Sequence, residues 1–162
     1  MAHIITYAPE PASSDPVIDS PTAKIGYVAS YTTPDGRGAA VLDLRTPSSQ
    51  AAASPEFRAL AQEICQVLAC RAPRYLTLDQ IPEEERQAVR RECLRTALAR
   101  GIPDRDLEEY AAQLARQRLA ELCLMELPLR ETTVRGAVEE LARKLGHPVQ
   151  VVRYYRVSVD DP

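Results

Sequence analysis

Long apolar runs are missing from this chain: none approaches the roughly 20 residues that a membrane-spanning helix requires. The first twenty residues carry acids and prolines where a secretory signal has basic and then apolar residues. Both absences argue against a membrane partner and predict a cytoplasmic protein. An excess of positive charge is missing too. With 20 basic and 23 acidic residues, a net charge of -3 and a pI near 5.5, the chain has no general attraction for phosphates, so nucleic acid is a disfavoured partner. Histidine is scarce: His3 and His147 have no acid-base or nucleophilic partner near them in sequence. The four cysteines, Cys65, Cys70, Cys93 and Cys123, form no short-spaced pair and no Cys/His cluster, and they read as small core hydrophobes. No glycine-rich phosphate loop, nucleophile elbow, paired carboxylate framework or internal repeat is present. The expectation is a protein without catalysis, metal or cofactor.

What is present is clearest near the C-terminus. Thr132 and Thr133 offer a hydroxyl at a helix N-cap, and Val134, Ala137, Val138, Leu141, Ala142 and Leu145 recur on one helical face. Gly146 and Pro148 end that helix, with Arg143 and Lys144 placed well for its last turn. The period then changes to two. Val149, Val151, Tyr155, Val157 and Val159 predict the apolar side of a strand, interrupted only by Arg153. Gln150, Val152, Tyr154, Arg156 and Ser158 fall on the other side, which makes Tyr154 and Arg156 candidates for an exposed contact.

Upstream, residues 1–23 hold four prolines among Ser, Asp and Ala and read as a flexible leader. From Lys24 to Arg45 the alternation of Ile25, Tyr27, Ala29 and Tyr31, a Pro-Asp-Gly turn, and the alternation of Ala40, Leu42 and Leu44 predict a hairpin. An isolated hairpin is marginal in water, so the C-terminal strand is its expected third partner. Thr46–Ala53 reads as a linker of small residues. Ser54 and Pro55 then open a helix with a buried stripe of Phe57, Leu60, Ala61, Ile64 and Leu68. Pro82 opens the next, with the stripe Val89, Cys93, Ala97 and Leu98. Gly101 ends it, and a third helix carries Leu107, Tyr110, Ala111, Leu114, Arg118 and Leu122; these last two predict an antiparallel pair. The fold class is α+β: a small three-stranded antiparallel sheet covered by helices, within one domain over residues 24–162. The charged helix faces read as solvated.

Three segments resemble a known family. Glu121–Leu129 (ELCLMELPL) is similar to VCLLEQPF, the helix TVRGAVEELARKLG to TVKELIxxAIAKLG, and the strand VQVVRYYRVSV to IxVRRFVRFEV, all in the core domain of bacterial elongation factor Ts. Upstream, GRGAAVLDL resembles GRVGVLVEL, and the stretch from Pro55 to Pro82 resembles EFQxLAKDIAMHIAAMNPRYVSxEEIP. The resemblance covers about Ile25 to Val159. It implies the elongation factor Ts core fold, the GTPase elongation factor Tu as partner, a role in guanine-nucleotide exchange, and pairing of cores into a homodimer as in short members.

Two departures bear on activity. The family's N-terminal helical domain, with its TGAGMMDCKKAL signature, has no counterpart in Met1–Ala23. The family's exchange motif, Thr-Asp-Phe-Val, aligns without gaps on Ser48, Ser49, Gln50 and Ala51, so its acid and its aromatic wedge are replaced. The resemblance therefore implies an exchange factor whose activity is weak or lost, or a diverged paralogue that kept the scaffold for self-association or another protein.

Overall fold

The computed structural model of the chain describes residues 25–161. The expected leader lies outside them. The chain divides into two compact units, one made of the segments up to Ala72 and from Leu129, the other of Pro73–Pro128.

The first unit is built on a three-stranded antiparallel sheet. Strands β1 (Gly26–Thr32) and β2 (Gly38–Arg45) form the expected hairpin, and β5 (Gln150–Ser158) lies along the other side of β2, giving the order β1-β2-β5. The hairpin turn follows from its residues. Gly36 takes a left-handed φ of 69°, which costs glycine nothing, and Asp35 Oδ1 accepts from Thr33 Oγ1 at 2.6 Å and from the Arg37 N–H at 3.0 Å. The alternation in β1 and β2 holds as expected: Ala29, Leu42 and Leu44 are completely buried on one face. That face is covered by α2 (Pro55–Arg71), whose Phe57, Leu60, Ala61, Ile64, Cys65 and Leu68 are buried. Ser54 caps α2 by accepting from the Phe57 N–H at 3.2 Å, and Ala72 closes it in a left-handed conformation. Two minimal strands, β3 (Pro128–Leu129) and β4 (Thr132–Thr133), precede α5 (Val134–Leu145). Thr133 caps α5 by accepting from the Gly136 N–H, and Gly146 ends it with a φ of 69°. Val134, Ala137, Val138 and Leu141 form its buried stripe.

Two expectations in this unit are corrected. The linker at 46–53 contains a short helix, α1 (Ser49–Ala53). Ser48 caps it by accepting from the Ala51 N–H at 3.2 Å, and Ala51 and Ala52 are buried. Small residues do not oppose a helix once a cap and a packing surface exist. The second correction concerns β5. Leu44 pairs with Val151 but Asp43 pairs with Arg153, so Val152 is an extra residue in a β-bulge. Beyond it the faces are exchanged. Tyr154 lies opposite buried Leu42 and Arg156 opposite buried Ala40, whereas Tyr155 lies opposite Val41. Tyr154 and Arg156 thus belong to the helix-covered face, and Tyr155 and Val157, expected on the main apolar side, point away from it.

The second unit is a helix pair. In α3 (Glu83–Ala99) and α4 (Asp104–Glu121), Arg118 Nη1 donates to Glu92 at 2.8 Å and Arg100 Nη1 to the Tyr110 hydroxyl at 2.5 Å. The numbering rises along one helix as it falls along the other, which makes the pair antiparallel as expected. Cys93 and Ala97 from α3 and Ala111, Ala115 and Leu119 from α4 are buried. Leu98, expected in the stripe of α3, is 55% exposed. On α4 the most buried line is Ala111, Ala115 and Leu119, and the expected Leu107, Tyr110, Leu114 and Leu122 border it half-buried. At one end Ile81, Leu119 and Cys123 form a cluster with Tyr75, Val89 and Leu122. The extended segment at Tyr75 is held there because Leu124 N–H donates to Tyr75 O at 2.9 Å and Tyr75 N–H to Leu122 O at 3.0 Å.

Candidate protein-binding surfaces

The four residues aligned with the exchange motif occupy the start of α1. Ser48 fills a structural role as the cap, and Ala51 is buried under the helix. Ser49 and Gln50 are exposed between them. The segment therefore presents two neutral polar side chains at the first turn of a helix, with neither a carboxylate nor an aromatic ring.

Tyr154 and Arg156 sit on a different element, β5, and both are half-buried. Arg156 Nε donates to Ala69 O at 3.2 Å and its Nη1 to Asp161 at 2.7 Å, leaving the side chain 18% exposed. This guanidinium satisfies the end of α2 and the C-terminal turn. It is not a free surface contact.

The outer face of the sheet is the surface that the periodicity did not reveal. Val28, Val41, Tyr155 and Val157 are 62%, 37%, 41% and 54% exposed, and they alternate outward from all three strands. Soluble antiparallel sheets usually make such a face polar. Between these residues lies one charged group. Asp43 Oδ2 accepts from Arg45 Nη2 at 2.7 Å and from Arg153 Nε at 3.1 Å, and the Arg45 guanidinium, assisted by Arg153, holds the Asp43 carboxyl below the usual carboxylate range. Val28, Val41, Asp43, Arg153 and Tyr155 line a shallow depression of about 250 Å³. The signal was present in the sequence as Val28 on the polar side of β1, but the Val151-Val152-Arg153 run conceals which side Tyr155 takes.

Three cysteines are interior, as expected, and Cys70 is exposed near the end of α2. Cys65 Sγ lies 3.2 Å from Ala40 O, and burial pushes its thiol up to about 11, which suits a packing role. Among the described residues no group of three or more His, Cys, Asp or Glu could hold a metal ion, and no helix is long and apolar enough to cross a membrane.

A mixed helix-and-strand protein with a three-stranded antiparallel sheet, one face of which is apolar and uncovered among the described residues, is thus the class defined by the structure. Comparison with known proteins narrows it. The chain is 24% identical over 145 residues to Elongation factor Ts of Lawsonia intracellularis, covering 85% of this chain and 48% of that protein. It is 29% identical to Elongation factor Ts of Thermosynechococcus vestitus (81% of this chain, 46% of that protein) and 29% identical to that of Moorella thermoacetica (86% and 70%). The relation to proteins of that name is supported and distant. The chain spans about half the length of the first two of these relatives. No protein-family model matches it.

Proposed function

We propose that this chain is an elongation factor Ts-like protein of translation elongation, which binds the GTPase elongation factor Tu without catalysis or cofactor of its own and promotes nucleotide exchange weakly or not at all. The observation that carries this reading is the first turn of α1. The Ser48 cap starts a helix where the resemblance puts the exchange motif, while Ser49 and Gln50 stand exposed in place of the acid and the aromatic ring. An exchange factor acts by binding the nucleotide-free GTPase more tightly than the nucleotide-bound one, and two neutral polar side chains supply little such difference. The test is release of fluorescent GDP from elongation factor Tu with the parent chain and with Ser49→Asp combined with Gln50→Phe. Slow release with the parent and faster release with the double variant are expected, with affinity for the empty GTPase rising more than for the GDP-bound form. Release by the parent as fast as with an intact elongation factor Ts overturns the weak-exchange reading. Absence of any binding by either protein overturns the choice of partner.

A second reading, self-association, is favoured by the outer sheet face. Two copies stacked through Val28, Val41, Tyr155 and Val157 form a sandwich of sheets about 10 Å apart, with the same patch used on both sides of a two-fold axis. The Asp43 carboxylate at its centre enters already paired with Arg45 and Arg153. Light scattering tests it: a dimeric parent and a monomeric Val28→Asp, Val157→Asp variant are expected. A parent that stays monomeric removes this reading.

A further inference from the structure

The helix-pair unit carries a groove of about 460 Å³ between α3 and α4. Its floor is aliphatic, made by Leu94 of α3 and by Ala111, Ala115 and Leu119 of α4. Its walls carry three arginines, Arg90, Arg91 and Arg116, and at the other end Glu108. The antiparallel pairing of Glu92 with Arg118 places Arg116 about one turn from Arg90 and Arg91, so the three guanidiniums gather at one end. Arg118, on the neighbouring face, is already paired. Among the described residues the guanidiniums of Arg90, Arg91 and Arg116 have no ion-pair or hydrogen-bond partner, and all three side chains are exposed.

We propose that this groove docks a helical segment of another protein that presents an apolar ridge with carboxylates at one end. Three features select that occupant. From Glu108 to Leu119 the α4 wall runs roughly 16 Å, the length of three helical turns. The middle of the floor is Ala111 and Ala115, small side chains that let an incoming backbone approach closely while its leucines pack against Leu94 and Leu119. Free arginines at a rim recognise carboxylates in a planar, two-pronged geometry, and they are enriched at protein interfaces. Glu108 gives the groove a direction, since it opposes an acid at its own end. A nucleic acid strand fits less well: the floor offers no aromatic ring for base stacking, and Glu108 opposes a continuous phosphate backbone. This inference is independent of the exchange reading, because no residue of α1 or of the sheet contributes to the groove.

The test uses the full chain and a fluorescein-labelled, end-blocked peptide of about 15 residues, long enough to form a helix, with leucines on one face and glutamates flanking them. A second peptide carries lysine in place of each glutamate. Anisotropy is expected to show binding of the glutamate peptide at least about tenfold tighter than the lysine peptide, weakening as salt rises. The double variant Arg91→Glu, Arg116→Glu should invert that preference. Ala112→Trp, at an exposed position on the groove wall, should abolish binding of the glutamate peptide while keeping every charge. Circular dichroism confirms that each variant is folded. The proposal is overturned if the parent does not distinguish the two peptides or binds neither. It is equally overturned if Ala112→Trp binds as the parent does, or if a single-stranded RNA oligonucleotide binds more tightly than the glutamate peptide and loses affinity in the same variants.

Discussion

In the sheet unit large side chains dominate the interior: Phe57, Leu42, Leu44, Ile64, Leu68 and Val134 are completely buried. Between α3 and α4 the buried side chains are small: Cys93, Ala97, Ala111 and Ala115, with Leu119 and Ile81 at one end. A sheet and a helix meet about 10 Å apart and need bulky side chains to fill the space, whereas two helices faced with alanine approach more closely and leave little to fill. The sheet unit is therefore vulnerable to losing volume and the helix pair to gaining it. The helix pair also gains less from removing apolar area from water, since an alanine contributes far less surface than a leucine.

Three measurements test that contrast. The largest effect is expected from Phe57→Ala, which leaves a cavity under the sheet: a loss of about 3–5 kcal/mol in urea unfolding, read by tertiary probes within the sheet unit. Ala115→Leu overfills the helix contact and should cost about 1–3 kcal/mol. Amide hydrogen exchange should then speed up within 83–121 while β2 stays protected, and uniform acceleration would mean that the two units do not open separately. The smallest effect is electrostatic and confined to the sheet. The Asp43 carboxyl titrates below its ordinary value of 3.8 in the folded chain. Its ionised form therefore adds stability above that value, and this contribution is lost as the pH falls through the lower folded value. Asp43→Asn should flatten the stability profile below about pH 4, and an unchanged acid limb would remove the Arg45–Asp43–Arg153 group from the account.

Much of this architecture is punctuated in the sequence. Ser54-Pro55, Thr133, Gly146 and Pro148 mark helix ends through local backbone chemistry that tertiary contacts do not override, and the hairpin turn is written in Pro-Asp-Gly. Helix α1 was not legible, because Ser48 and the alanines after it are equally at home in a loop until the packing of Ala51 and Ala52 decides. Leu98 falls outside the contact because a stripe of small residues is narrower than the apolar face that periodicity suggests. The candidate surfaces were less legible than the fold. Ser48–Ala51 became visible only through resemblance, and the free arginines of the groove look in sequence like any solvated helix face. Counting in twos puts Tyr154 and Arg156 outward, and no single residue contradicts it.

Val152 acts on the numbering of the chain as a dropped stitch acts on a row of knitting. Up to Val151 the odd positions of the last strand belong under the helices; after Val152 the even positions do. A chain with that one residue deleted would keep every remaining side chain on its present face, because regular pairing would then join Val151 and Arg153 to the same partners. A deletion at Tyr154 or Tyr155 that kept the bulge would instead turn Arg156 out into water and Val157 in beneath α2. Sequence comparisons across this strand therefore have a place, at the bulge, where a gap is silent, whereas a gap beyond it that keeps the bulge exchanges the interior of the sheet for its exterior.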